Sequence, residues 1–356
     1  MSHIELEKFI VPEDMHLAKA MQKIDDNANG LVFVVDEKNH LCGALSDGDI
    51  RRWLLKAGSL DAQVRLLMNS KPISIYENER CSAVKLMREK QISALPIVDT
   101  DGLIVDICLI KEQDVEEKQS QKKGLKGVTV VIMAGGKGTR LYPFTKILPK
   151  PLIPIGEIPI VERVMDAFHE YGITDFFMTV NYKSRMIQSY FAETNKDYHI
   201  EYVKEDKPLG TGGSIRLIGR QFIRPLFVAN ADGLIRTDYT ALYQHHIDSG
   251  NAITMITSLK KEIVPYGVIH SKENGEIESM VEKPTMLYLI NTGMYVINPE
   301  MISLIPEDTM FHMTNLVEKA MKLGYKVGMY PVSEDSFLDM GEFAEMKRME
   351  EKLNLQ

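Results

Sequence analysis

The sequence predicts an α/β protein in two parts, a larger C-terminal domain built on a mostly parallel sheet and, before it, a smaller α+β module made of two repeats. Three observations carry this. A chain of 356 residues exceeds one ordinary core and fits two domains, one of about 120 residues and one somewhat above about 200. From Gly127 onward, strand-like apolar runs alternate with helix-like ones, the pattern of parallel strands joined by crossover helices. Upstream of Gly124 the chain states one pattern twice.

The first copy has a helix-like stretch around Leu17, Ala18 and Met21, an apolar strand Leu31 to Asp36, a polar turn and a second strand from Leu41. The second has Ala83, Val84, Leu86 and Met87, then Ile92 to Asp99, a Thr100-Asp101-Gly102 turn and a strand from Leu103. The matching endings, Val-Val-Asp36 and Ile-Val-Asp99, stand 63 residues apart. Lys111 to Gly124 is almost wholly polar and closes on glycine before a strong strand signal, which marks a boundary. The expected division is a module over 1–120, a linker over 121–126 and a large domain over 127–356. Within the large domain the pattern predicts strands at Thr129 to Met133, Asp175 to Val180 and Arg224 to Asn230. It predicts helices at Val161 to Tyr171, Met186 to Glu193 and Glu342 to Leu355.

Composition narrows the function. The chain is 44% hydrophobic and 26% charged, with no run near the roughly 20 apolar residues that a membrane helix needs. Its start lacks a basic segment followed by an apolar one, so a cytoplasmic location is expected. A net charge of −8 argues against nucleic-acid and anionic-membrane partners, both of which need a basic face. Cys42, Cys81 and Cys108 lack paired spacing and read as reduced thiols. Of nine histidines, His245 and His246 stand side by side in a predicted helix and therefore point in different directions, which suits surface or core residues better than ligands.

The stretch that carries chemistry is Met133-Ala134-Gly135-Gly136-Lys137-Gly138-Thr139-Arg140-Leu141, directly after a strand. Glycines at a strand's carboxyl end let backbone N–H groups close around an anionic phosphate. A P-loop requires Gly-Lys-Ser/Thr, but Gly138 follows Lys137; a dinucleotide fingerprint from Gly136 would need a small residue where Leu141 stands. What the stretch resembles, together with Leu148-Pro149-Lys150-Pro151, is the signature of the sugar-nucleotide pyrophosphorylases, or sugar-1-phosphate nucleotidyltransferases. Pro208 to Gly213, Asn230-Ala231-Asp232, Tyr266-Gly267-Val268, Glu282-Lys283-Pro284, Asn291-Thr292-Gly293 and Leu338-Asp339-Met340-Gly341 follow in the family's order. The one departure is Ala231, where the family usually has glycine.

The resemblance implies a Rossmann-like nucleotidyltransferase domain that moves a nucleoside monophosphate from a nucleoside triphosphate to a sugar 1-phosphate, with Mg²⁺ as cofactor. In that scheme Ala134, Gly135, Gly136, Gly138 and Thr139 hold the nucleotide phosphates, while Glu205, Gly210 and Thr211 meet base and ribose. Arg140 neutralises the leaving pyrophosphate, Lys150 steadies the reacting centre, and Asp232, also catalytic, shares the metal with Asp339. Tyr266, Gly267, Glu282, Lys283, Asn291 and Thr292 take the acceptor. The alternative for Asp232 and Asp339 is a pair of turn-forming aspartates beside glycine. The N-terminal repeats resemble tandem CBS domains, which commonly bind adenosine nucleotides. Ser46 and Asp49 match the CBS Ser/Thr-x-x-Asp signature, against the alternative that they cap the next helix. The second repeat, read at Ile107 to Lys111, lacks the acid.

For the base, Glu205 is the hint. A carboxylate accepts from guanine N1–H and its exocyclic amine together, whereas uracil and thymine offer one N–H; the alternative is a solvated loop charge. GTP is therefore favoured. CBS modules fused to this domain resemble guanylyltransferases that use glucosamine 1-phosphate in bacterial legionaminic acid synthesis. The runners-up are mannose-1-phosphate guanylyltransferase, uridylyl or thymidylyl transfer to a glucose-type phosphate and, from another class, an inactive regulatory scaffold. A homo-oligomer is expected.

Overall fold

The computed structural model describes residues 6–27, 29–56, 58–59, 61–90, 92–109, 124–341 and 343–353. The predicted linker falls outside these up to Gly124. The chain divides into two compact units, Met1–Glu117 with Leu259–Tyr288, and Lys118–Ser258 with Leu289–Gln356. The segment Leu259–Tyr288, inside the range expected for the large domain, thus groups with the N-terminal module.

The large unit is built on a seven-stranded sheet in the order His199–Lys204, Asp175–Val180, Thr129–Met133, Leu226–Asn230, Thr285–Ile297, Ile253–Ile263, Val327–Val332. The first four strands run parallel, and Thr285–Ile297 is antiparallel to Leu226–Asn230. Thr129–Met133 lies at the centre of this parallel group, with residues 129–132 buried, as an uninterrupted β-branched run requires when both sheet faces are covered. Alternation then assigns the faces. Val130 and Ile132 join Phe176, Met178 and Phe227 in one core, and Val131 joins Phe177 and Val228 in the other.

The first core is closed by helix Ile160–His169, whose Ile160, Val161, Val164, Met165 and Phe168 form a buried stripe. Phe168 stacks on Tyr239 with centroids 4.5 Å apart. The helices Ser184–Glu193 and Phe343–Lys352 lie where the periodicity put them. On helix Tyr239–Ser249, His246 is 1% exposed. Its Nε2–H donates to Asn298 Oδ1, and its Nδ1 accepts from the Thr254 hydroxyl, which in turn accepts from the Asn251 amide. His246 is a core residue whose burial lowers its pKa.

The smaller unit repeats one motif. Ile10–Pro12, Leu31–Val35 and Leu41–Ser46 form one three-stranded sheet; Ile75–Tyr76, Ala94–Val98 and Ile104–Leu109 form another. Helices Leu17–Asn27 and Asp47–Leu55 cover the first, and Ala83–Lys90 packs with the second. Phe9 and Phe33 of the first copy meet Ala94 and Ile107 of the second. Both hairpins keep the same register, with Val34 opposite Gly43 and Ile97 opposite Asp106. This offset of 63 residues carries Ser46 onto Leu109 and Asp49 onto Glu112. The second copy therefore does have an acid at the corresponding place in the sequence, and residue 112 lies outside the described residues. Leu259 is buried among Leu17, Met21, Ile24, Ile50 and Leu54, and Lys261 Nζ donates to Gln22 Oε1 at 3.0 Å. These contacts bind the base of the Leu259–Tyr288 arm to the first repeat, a long-range match that no local pattern announces.

Candidate active site

The glycine-rich loop leaves the central strand where Ala134 N–H donates to Thr179 O at 2.9 Å. Each glycine that matters here makes room for a specific neighbour. A Cβ on Gly135 would stand 2.5 Å from Glu205 Oε1. Gly138 has φ +63°, and a Cβ on it would meet Lys150 Cβ at 2.8 Å and Thr145 Cγ2 at 3.0 Å. The loop must therefore stay bare for Glu205 and Lys150 to pack against it. Thr139–Leu141 forms a short helical turn fixed by the buried Leu141, and Gly136 has open space where a side chain would be.

Lys150 is 9% exposed, and its ammonium pairs with Asp232 Oδ2. Asp232 follows the strand Leu226–Asn230, and its carbonyl accepts from Met340 N–H at 3.0 Å. The short strands Gly233–Ile235 and Phe337–Asp339 pair antiparallel with Gly233 opposite Asp339, which brings the second carboxylate beside the first. A Cβ on Gly341 would lie 2.8 Å from Asp339 Oδ2 and 3.6 Å from Arg140 Nη1. Arg140, Lys150, Asp232 and Asp339 thus converge from four parts of the chain, a gathering that the turn-forming alternative for the two aspartates does not require. Burial and then the charge of Asp232 raise the pKa of Asp339.

Two carboxylates, one strained by its like-charged neighbour, make a set that a hard divalent cation relieves. Mg²⁺ typically binds through one or two carboxylates and completes its shell with water and substrate phosphates. The pair fits that ion. Among the described residues no group of three or more His, Cys, Asp or Glu is arranged to hold a metal by itself.

Glu205 is 5% exposed, which removes the solvated-loop alternative. Its Oε2 accepts from Leu209 N–H at 3.2 Å, and burial raises its pKa. The loop beyond it turns at Gly210, φ +77°. Gly212 and Gly213 N–H both donate to Phe311 O at 2.8 Å, and Thr211 Oγ1 accepts from Met313 N–H at 3.0 Å. The hydroxyl of Thr211 therefore already helps start the helix Met313–Lys322. Thr292 likewise uses its buried hydroxyl within the sheet, donating to Ile256 O at 2.7 Å. Asn291 donates to Tyr295 Oη at 2.6 Å, and the Asn230 amide fills the space beside Gly293, φ +79°.

The remaining residues expected to take the acceptor belong to the smaller unit. On the arm, Tyr266 is 74% exposed. Lys283 N–H donates to Tyr266 O at 3.3 Å, and a Cβ on Gly267 would meet Glu282 Oε2 at 2.8 Å, so the four gather at one place. In the first repeat Ser46 and Asp49 form a reciprocal capping box on helix Asp47–Leu55. Ser46 N–H and Oγ–H donate to Asp49 Oδ2 at 2.9 and 2.6 Å, and Arg52 donates to Asp49 Oδ1 at 2.6 Å. The capping alternative is thus realised in the geometry. Sequence reasoning missed Asn181, Tyr182 and Lys183, which bond the Glu205 carbonyl and the segment between the phosphate loop and Lys150, and Phe311, which braces the Gly210–Gly213 loop; their bonds end on backbone carbonyls and leave no motif.

Residues 129–354 match the family described as nucleotidyl transferase, and residues 4–56 match the CBS domain. A mannose-1-phosphate guanyltransferase of Debaryomyces hansenii is 34% identical over 184 residues, covering 49% of this chain and 51% of that protein. One from Pichia angusta is 36% identical over 184 residues, with coverage of 49% and 50%. The chain spans about half the length of these curated relatives. The crystal structure of HddC from Yersinia pseudotuberculosis aligns with a TM-score of 0.50 at 25% identity, covering 64% of this chain and 99% of that one. With its central strand, glycine loop and converging charges all inside the matched range, which takes in more than half of the chain, the protein belongs to the nucleotidyl transferase family, with a CBS domain at its N-terminal side.

Proposed function

We propose that the chain transfers GMP from GTP to a sugar 1-phosphate, glucosamine 1-phosphate first, releasing pyrophosphate and forming a GDP-sugar for legionaminic acid or a related surface glycan. The observation that carries the guanylyl reading is the buried Glu205 carboxylate beside Gly135 of the phosphate loop. A buried carboxylate needs donors. Guanine offers two adjacent N–H donors on one edge, and uracil or thymine offers one.

The chemistry asked of the protein is electrostatic. Two polyanions meet in line, so positioning and charge neutralisation are the main terms. The attacking phosphate is already largely dianionic near neutral pH, its second pKa being about 6, so no general base is required. Arg140 takes the leaving pyrophosphate through its guanidinium fork. Lys150, held by Asp232, steadies the reacting phosphates from the floor of the loop. Asp232 and Asp339 would hold Mg²⁺, which when bound would screen phosphate charge. Tyr266, Gly267, Glu282, Lys283, Asn291 and Thr292 are the residues the family resemblance assigns to the acceptor, Lys283 to its phosphate and Glu282 to its sugar. Ser46 and Asp49 form the adenosine-nucleotide edge of the CBS module, with a ligand's ribose replacing the Arg52 contact. The protein works in the cytoplasm as a homo-oligomer.

A second acceptor, mannose 1-phosphate, is favoured by the names of the relatives. Pyrophosphate release with Mg²⁺, crossing GTP, UTP, dTTP, CTP and ATP with glucosamine, N-acetylglucosamine, glucose and mannose 1-phosphates, tests the proposal. Turnover confined to GTP with glucosamine 1-phosphate supports it. Turnover with GTP and mannose 1-phosphate replaces the acceptor, and turnover with UTP or dTTP alone overturns the guanylyl reading.

A further inference from the structure

We propose that the turn Asn181-Tyr182-Lys183, at the carboxyl end of strand Asp175–Val180, is a positioning device that sets both ends of the nucleotide site. This rests on the nucleotidyl-transfer reading above. Between the buried Leu141 and the buried Pro149 the chain makes a loop in which Tyr142, Phe144 and Ile147 are exposed and Thr145 is the one buried side chain. A loop with one buried side chain has little packing of its own to fix it. The turn supplies the missing restraint. Tyr182 Oη–H donates to Thr145 O at 3.1 Å, and Lys183 Nζ donates to Ile147 O at 2.7 Å and to Lys146 O.

The restraint reaches the reacting charges by direct contact. The Thr145 methyl and the Lys150 stem both press the face of Gly138, and the Lys150 ammonium lies on Asp232. Fixing Thr145 therefore fixes the floor from which Lys150 rises. The same turn acts on the base side, because Asn181 Nδ2–H donates to Glu205 O at 2.9 Å. Lys183 itself holds φ +51°, a left-handed conformation that a lysine adopts only when its surroundings demand it.

The device makes two separable predictions. Lys183→Met should lower kcat by about 10- to 100-fold, the size expected for losing charge-assisted hydrogen bonds at a positioned group, with the KM for sugar phosphate within about 3-fold of the wild type. Lys183→Arg, which keeps the donors, should recover activity to within about 5-fold. Asn181→Ala should instead raise the KM for GTP by about 10-fold and leave kcat within about 3-fold. The experiment is steady-state kinetics on the full chain, with thermal unfolding of each variant and calorimetric titration of inorganic pyrophosphate with Mg²⁺ into wild type and Lys183→Met. Weaker pyrophosphate binding by about 10-fold supports the proposal even if the wild type turns over no tested pair, an outcome that would remove the functional reading alone. Unchanged pyrophosphate binding with kcat within 2-fold overturns it. So does an equal loss in Lys183→Met and Lys183→Arg accompanied by a fall in melting temperature, which would mark a purely structural role.

Discussion

At the nucleotide end of the protein Glu205 and Lys150 are buried and held by neighbours, whereas on the arm Tyr266 stands in the open. Glu205 is gripped by Leu209 N–H and the bare face of Gly135, and Lys150 by Gly138 and Asp232. Tyr266 is largely exposed, and the hairpin behind it, Val268–Ser271 with Ile277–Val281, is exposed along nearly its whole length. A two-stranded hairpin has little stability alone, and the base of the arm is secured instead by burying Leu259 in the first N-terminal repeat. The contrast teaches where precision is built in. Phosphate chemistry needs charges fixed to fractions of an ångström, and the exposed Tyr266 of the arm lacks such packing.

The sharpest way to break this comparison is at the rigid end. Asp232→Asn should reduce kcat by about 10³-fold or more, because it removes both a proposed metal ligand and the partner of the buried Lys150. Far-ultraviolet dichroism should show the fold retained. Activity within about 10-fold of the wild type would remove Asp232 from the metal site.

Leu259→Ala probes the other region's anchor. A buried leucine replaced by alanine costs about 2–5 kcal/mol, and hydrogen exchange should show that loss in the first repeat and the arm. The central strand Thr129–Met133 should keep its protection. Loss spread evenly over both regions would erase the distinction drawn here.

Lys283→Ala should raise the KM for sugar phosphate by about 10- to 100-fold and leave the KM for GTP within about 3-fold. Equal changes in both constants would mean that the arm does not serve the acceptor alone.

The smallest effect concerns pH. Burial lowers the pKa of His246, so the folded state disfavours its protonation. Stability from this group is full above the unfolded-state pKa of about 6.5 and is lost as pH falls below it. Between pH 7 and 5 the melting temperature of the wild type should fall by about 2 °C more than that of His246→Asn. Parallel falls would place the acid sensitivity elsewhere.

These regions also differ in how well the sequence shows them. The central strand and phosphate loop were legible because an apolar β-branched run followed at once by clustered glycines is a local pattern, although the neighbours for which Gly135 and Gly138 stay bare, Glu205, Thr145 and Lys150, come from elsewhere in the chain. Asp232 and Asp339 were legible only through resemblance, for nothing in either segment states that Gly233 pairs with Asp339. The grouping of Leu259–Tyr288 with the N-terminal module was not legible, since Leu259 looks like any strand leucine. The Asn181 to Lys183 turn was silent for a related reason. Its partners are carbonyl oxygens, which every residue carries.

The proposed role of Glu205 in reading the base is best measured as kcat/KM for GTP and UTP with one sugar phosphate, in the wild type and Glu205→Gln. A wild-type preference for GTP of about 100-fold or more is expected, collapsing to within about 10-fold in the variant, as a site loses discrimination when one of its two buried acceptor oxygens is replaced by a donor. A variant that keeps the full preference, or a wild type that prefers UTP, would contradict it.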